Sequence, residues 1–332
     1  MQTTRKRDYS TILHDPESIG IQTTQYIQFR RENIGRGLKL GLRTLDEPDS
    51  KGRFLLPLIG TELMSIIARP GNGKTGFMVR WARERSKELR RLAGDDPVMN
   101  KRVVVYATIE QSVEELNAFN MAADRRLSIT NVAAGKISEE EWNICLREGI
   151  NRRNLPLWNI GYSSVLHAKQ EIIDLDAIRG ALQMIQDRGY TIDVVFVDYL
   201  QRLGYIRAES KTIGVSDNLD GLKNLALLNR CPFVVGVQAA RDVDASADKI
   251  PMLDSGQWTS NIEQTSDRII SLVRPTTYFQ QGEVWHGERI EGETQLLITV
   301  LKQKLGPAHF AKWARFDPIY NTLDDLEKGA RA

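Results

Sequence analysis

Apolar residues recur along this chain in two rhythms. Short, nearly continuous apolar runs lie at residues 63–68, 102–110, 193–198, 233–238, 268–273 and 295–301, with weaker ones at 155–160 and 312–316. Runs of that length, rich in Val and Ile and bounded by polar turns, predict strands buried on both faces of a sheet. Between them the spacing changes to the helical one. Phe77, Val79, Trp81 and Ala82 open a segment that continues to Leu92 and stops at Gly94, with Asp95-Asp96-Pro97 as breaker. Ile178, Leu182 and Ile185 mark one buried face of a helix over 176–189, and residues 216–229 form another. Residues 120–165 read as helical and polar, apart from the 155–160 strand. Ser112 before Glu114-Glu115 and Ser138 before Glu139-Glu140-Glu141 are helix N-caps with acidic first turns. Strands alternating with helices predict an α/β fold, a mostly parallel central sheet flanked by helices, with antiparallel strands at its C-terminal edge.

The ends of the chain break this pattern. Residues 1–35 form a polar, interrupted arm in which 20–33 reads as a short amphipathic helix. Its Ile21, Tyr26, Ile27 and Phe29 are too few to bury alone, so the helix is expected to dock on something else. Arg5-Lys6-Arg7 reads as a solvated terminus. Residues 36–325 form one domain and 326–332 a tail, with no repeat or low-complexity linker.

Composition narrows the functional classes. The 332 residues are 41% hydrophobic and 27% charged, enough for a large core. The net charge of +2 means that any nucleic-acid contact comes from local clusters, not a global field. Cys145 and Cys231 match no metal or redox spacing, and His14, His167, His286 and His309 are too dispersed for a zinc site. No apolar run approaches the roughly 18 residues of a bilayer span, and the N-terminus lacks a signal-peptide core. A cytoplasmic protein is expected.

The strongest chemical signal follows the first apolar run, in Ala68-Arg69-Pro70-Gly71-Asn72-Gly73-Lys74-Thr75-Gly76. A strand, a glycine turn and a helix start make a phosphate-binding loop. Backbone N–H groups cradle a triphosphate, Lys74 reaches its outer phosphates, and the Thr75 hydroxyl holds Mg²⁺. Ala68 replaces the usual first glycine and fits if the strand end keeps φ negative. Ligands of such sheets lie at the carboxyl ends of the strands. Lys74, Thr75, Glu110, Asp198, Gln238, Lys302 and Lys304 are all expected there. Asp198 suits a Mg²⁺ carboxylate. Glu110 either activates the attacking water or is a loop carboxylate, and Gln238 can sense a γ-phosphate.

The phosphate loop, Thr108-Ile109-Glu110-Gln111-Ser112 and Val197-Asp198-Tyr199-Leu200-Gln201 together resemble the motor domain of DnaB-type replicative helicases. Ordered matches continue through Gly135-Lys136-Ile137-Ser138, Gln238-Ala239-Ala240-Arg241, Asp248-Lys249-Ile250-Pro251, residues 262–267 and residues 302–307, so that the resemblance covers about 38–323. It implies a RecA-like fold and a hexameric ring with ATP and Mg²⁺ between subunits and single-stranded DNA in the centre. It assigns Glu110 as catalytic carboxylate, Asp198 as metal ligand, Gln238 as sensor and Arg241 as a nucleotide contact. Lys302 and Lys304 would act on a neighbour's nucleotide, with Lys304 where the family has an arginine finger. Two loops would face DNA, the first through Arg202, Arg207 and Lys211, the second through Lys249, Ser255 and Gly256. The second loop departs most from the family, with Ile250 in place of an arginine, and Trp258 is either core or a stacking residue. Only a short arm precedes the motor, which implies a short form without the N-terminal primase-contacting domain, although a primase or loader is still an implied partner. Two other readings stay open: a DNA-dependent ATPase of recombinase or loader type that does not unwind, and a regulatory ring cemented by ATP.

Overall fold

The computed structural model describes residues 15–33, 37–94, 96, 98–166, 172–204, 211–252 and 259–326. Its centre is a nine-stranded sheet in the order β11-β10-β9-β6-β1-β5-β4-β2-β3. Six strands run parallel: β1 (Leu63–Ala68), β2 (Arg102–Thr108), β3 (Leu157–Ile160), β4 (Thr191–Asp198), β5 (Phe233–Gln238) and β6 (Arg268–Val273). The short strands β7 (Val284–Trp285) and β8 (Glu288–Arg289) form a separate hairpin. The antiparallel edge is β9 (Gln295–Gln303), β10 (Phe310–Asp317) and β11 (Thr322–Asp325).

Helices α1 (Pro16–Asn33), α2 (Arg43–Asp46), α3 (Lys74–Ala93), α4 (Val113–Asp124) and α5 (Ile129–Ala133) precede α6 (Glu139–Asn151), α7 (Leu175–Asp187), α8 (Lys211–Asn229) and α9 (Thr259–Thr265). The two-residue strand period explains the packing. Met64, Ile66, Val104, Tyr106, Val194 and Phe196 join one core with Phe77, Trp81 and Leu89 of α3. Leu63, Ile67, Val103, Val105, Val195 and Val197 point the other way, toward Ile178 and Leu182 of α7 and Leu219 and Leu222 of α8. Trp81 meets Phe196 edge to face at 5.7 Å.

The N-caps at Ser112 and Ser138 are full capping boxes, each serine accepting the N3 amide while Glu115 or Glu141 accepts the cap's own N–H. Helix α1 begins four residues before the expected start, because the Asp15 carboxylate accepts the Ser18 N–H (2.9 Å) and Pro16 takes the first helical position. Its Ile21, Tyr26, Ile27 and Phe29 are exposed, as their number implied. Helix α8 begins at Lys211, not 216, so Lys211 is helical.

One expectation is overturned. Lys302 and Lys304 do not join the other polar groups at the carboxyl pole of the parallel strands. β9 runs antiparallel to β6, with Lys302 beside Ile269 and Gln303 beside Arg268, so the end of β9 lies at the amino pole. An apolar run reads the same in either direction.

Candidate functional site

β1 delivers the chain into the loop through Ala68, whose φ stays out of the left-handed region as the missing glycine required. Gly71 and Gly73 do adopt that region, at φ 81° and 80°, and α3 starts at Lys74. The loop is fastened from behind. Asn72 is 1% exposed; its Oδ1 accepts the Arg274 N–H at 2.7 Å and its Nδ2 donates to the Arg69 carbonyl at 3.4 Å. Arg69 forks onto Asp244, Nε–Oδ1 3.0 Å and Nη2–Oδ2 2.7 Å, and donates to the Ala239 carbonyl. The side chains of Asn72 and Arg69 therefore brace the loop; what the loop can offer a phosphate is its backbone N–H groups and Lys74. That bracing role was not legible in the motif.

The Lys74 ammonium lies 2.5 Å from Asp198 Oδ1 and 4.3 Å above the Tyr199 ring centroid. Asp198 shares a sheet face with Phe196 and Tyr106, which aims it at α3. The Tyr106 hydroxyl donates to the other oxygen, Oδ2, at 3.0 Å. Burial and that carboxylate push the Tyr106 hydroxyl well above its ordinary value, so it stays a donor. Gly236 makes room for the pair: a Cβ there would stand 3.0 Å from Lys74 Nζ and 3.1 Å from Asp198 Oδ1. Tyr106, Tyr199 and Gly236 escaped the sequence reading, although each adjoins or sits within a quoted strand.

Loop, Lys74, Thr75, Gly76, Glu110, Tyr199 and Gln238 line one cleft of about 470 Å³. Glu110 is exposed at its rim just past β2, and its carbonyl accepts the Tyr162 hydroxyl at 3.0 Å. Burial, with Glu110 adding to it, raises the Tyr199 hydroxyl, which stays neutral. The Gln238 backbone is held by Gln201, another residue whose role was missed. Arg241 starts the exposed turn after β5 and is not among the residues lining the cleft.

The remaining expected residues lie elsewhere. At the amino pole Lys302 Nζ donates to the Glu263 carbonyl, and Lys304, with a side chain 71% exposed, lies 3.5 Å from Asp267. Arg202 is exposed in the short turn Leu200–Arg202. Lys249 folds back to donate to the Asp244 carbonyl (2.6 Å). Ile250 is buried with Val273, Trp285 and Leu297, which explains an apolar residue there. Arg207, Ser255, Gly256 and Trp258 lie outside the described residues, as does the Lys211 side chain.

The donor set fits the groups it implies. A hydroxyl (Thr75) and a carboxylate (Asp198) are the hard oxygens that Mg²⁺ takes when phosphates and waters complete its shell. Among the described residues no group of three or more His, Cys, Asp or Glu gathers as a metal cage, as this mode of binding permits. Two left-handed glycines at a helix start suit a phosphate chain.

Comparison with known proteins agrees with this geometry. Replicative DNA helicase DnaB of Rickettsia typhi is 24% identical over 308 residues, covering 88% of this chain and 57% of the relative. That of Geobacillus stearothermophilus is 24% identical over 328 residues, covering 97% and 64%. The chain thus spans less than two thirds of the length of these relatives. A solved ATPase domain superposes with a TM-score of 0.71 at 20% identity, over 95% of this chain and 100% of that one. A DnaB-like replicative helicase, solved in a study of its interactions with primase, gives 0.68 at 21% identity, over 95% and 68%. No helix among the described residues is long and apolar enough to cross a membrane. The family model described as DnaB-like helicase C terminal domain matches residues 37–323, and with that span covered the chain belongs to this family and carries its RecA-like fold.

Proposed function

We propose that this chain is the motor of an ATP-driven, ring-forming helicase that moves along single-stranded DNA in the cytoplasm. The observation that carries the reading is the convergence of the phosphate loop, Lys74, Asp198, Glu110 and Gln238 at one pole of the sheet, while Lys302 and Lys304 sit at the other. A single chain cannot bring both sets to one phosphate; a ring of copies can.

In this reading ATP lies in the cleft with its phosphates on the Gly71–Gly76 backbone. Mg²⁺, held by Thr75 and Asp198, would neutralise charge on the outer phosphates. Lys74 exchanges its contact with Asp198 for the phosphates. Tyr106 keeps Asp198 oriented through the exchange. Glu110 orients the attacking water and takes its proton. Gln238 reads the γ-phosphate, and Lys302 and Lys304 of the neighbouring copy stabilise the charge that develops there. Arg202, Arg207, Lys211, Lys249, Ser255 and Gly256 contact the phosphates of the strand, a salt-sensitive grip.

Two exposed apolar stripes support assembly. Helix α1 exposes Ile19, Ile21, Tyr26, Ile27 and Phe29, and α6 exposes Trp142, Leu146 and Ile150 at four-residue spacing. We place α1 of one copy on α6 of the next, closing a hexamer. A primase or loader is proposed as a partner of the assembled ring on the family's account alone.

The test is strand displacement on a forked duplex with ATP and Mg²⁺, with Lys74→Ala as the blank. Displacement that the blank lacks is expected. Hydrolysis stimulated by single-stranded DNA without displacement would overturn the helicase and leave a non-unwinding ATPase.

A further inference from the structure

The inference rests on the reading just given and concerns how the cleft addresses the two DNA-facing loops. The hydrogen-bonded pairing of β4 with β5 runs from Val195–Phe233 to Val197–Val235 and stops. Beyond it the strands part. Asp198 turns to Lys74, while β5 continues along β1 to the Ala68–Gln238 pair. The chain after Asp198 opens the first loop, and the chain after Gln238 opens the second.

One side chain bridges the gap. Gln201 Oε1 accepts the Gln238 N–H at 3.1 Å, and Gln201 Nε2 donates to the Gln238 carbonyl at 3.1 Å. The amide mimics a strand residue, adding a rung where the backbone ladder has ended. Its base is rigid, because Leu200 and Leu203 on either side are fully buried. Both bonds go to the Gln238 backbone, and the Gln238 side chain lines the cleft.

We propose that Gln201 is a positioning residue: its carboxamide joins the sensor strand to the Leu200–Arg202 turn, so that the carboxyl ends of β4 and β5 answer to the occupancy of the cleft as one unit. The chemistry demands glutamine. A donor and an acceptor must be presented side by side at fixed reach. Glutamate keeps the acceptor and sets a charge against the Gln238 carbonyl; leucine keeps the bulk and loses both bonds.

The experiment measures ATP turnover with and without an unstructured oligothymidine for wild type, Gln201→Leu and Gln201→Glu, together with ATP KM, affinity for a fluorescent ATP analogue and melting temperature. The expected result is a loss of about 10-fold in DNA stimulation of kcat for Gln201→Leu, with KM and analogue affinity within about 2-fold of wild type. Gln201→Glu is expected to fall between, and decides the matter if the leucine variant fails to fold. Stimulation retained in both variants, or loss of analogue affinity in the same proportion as stimulation, overturns the joint while leaving the helicase reading intact. A wild type that DNA does not stimulate overturns that reading, and the joint with it.

Discussion

The two poles of the sheet carry similar charges and treat them in opposite ways. At the amino pole Arg268, Glu62, Asp267 and Lys223 are tied to one another or to the backbone within the chain. Arg268, 2% exposed, lies 2.8 Å from Glu62 and donates to the Leu56 and Pro57 carbonyls. Asp267 accepts from Lys223 at 2.5 Å and from the Leu63 N–H at 2.9 Å. Burial raises the Asp267 carboxyl, but Lys223 and the other contacts outweigh it and hold the group below its ordinary range. At the carboxyl pole, among the described residues, Lys74 and Asp198 are paired with each other, with Tyr106 and with the Tyr199 ring, at the edge of an open cleft. One pole is finished by folding. The other is arranged for exchange, since a cation and a carboxylate paired across a cleft can each be taken over by a ligand of opposite charge. The loosest charge at the finished pole is Lys304, 3.5 Å from Asp267 with its side chain 71% exposed.

The contrast can be broken in steps. Lys74→Ala should cost the most, about 100-fold or more in ATP turnover, because a charge aimed at the phosphates is lost. Steady-state hydrolysis checks it, and near-normal turnover would mean that the carboxyl pole is not the reacting one. Lys304→Ala should lower turnover by about 10- to 100-fold while leaving ATP affinity of the isolated chain unchanged. Mixing Lys74→Ala with Lys304→Ala chains should restore part of the activity, since some interfaces then pair an intact cleft with an intact lysine. Mixtures as inactive as either parent would show that the poles do not share a site.

Gly236→Ala sharpens the contrast within one pole. The added methyl would stand 3.0 Å from Lys74 Nζ and Met78 Sδ and 3.1 Å from Asp198 Oδ1, tighter than ordinary contact, so turnover should fall by about 10-fold, a strain of roughly 1–3 kcal/mol expressed at the site. The smallest effect concerns pH. The hydrogen bond from Arg69 holds the Asp244 carboxyl below its ordinary range, against an opposing effect of burial. A carboxyl depressed in the folded state contributes stability that is present above its unfolded pKa of about 4 and is lost as pH falls through the folded value. Asp244→Asn should therefore lower the melting temperature slightly at neutral pH, leave the acid end nearly unchanged, and so flatten the limb between them. The pair is partly exposed, which keeps the change small.

Much of this was readable in the chain. β5 and β6 have the predicted bounds, because nothing but a doubly buried strand accommodates Phe-Val-Val-Gly-Val-Gln or Arg-Ile-Ile-Ser-Leu-Val between turns. The cleft was legible because Lys74, Glu110, Asp198 and Gln238 stand at or just past the ends of strands or the start of a helix, where sequence position fixes spatial position. What escaped depends on tertiary partners. The direction of β9 is set by the strand it meets, which moved Lys302 and Lys304 to the other pole. β7 and β8 are two residues each, too short for any period. Arg69 and Asn72 fit a phosphate loop by type, and only the positions of Asp244 and Arg274, 175 and 202 residues away, give their side chains the bracing contacts.

The tie from Asn72 to the Arg274 amide has a kinetic consequence. A phosphate loop pinned by a buried carboxamide keeps its shape between one nucleotide and the next, so that binding need not order it. Exchange should then proceed by diffusion into a standing cradle, with departure set by the contacts made to phosphate. On the proposed reading, the seat of the nucleotide then needs no rebuilding between one turnover and the next.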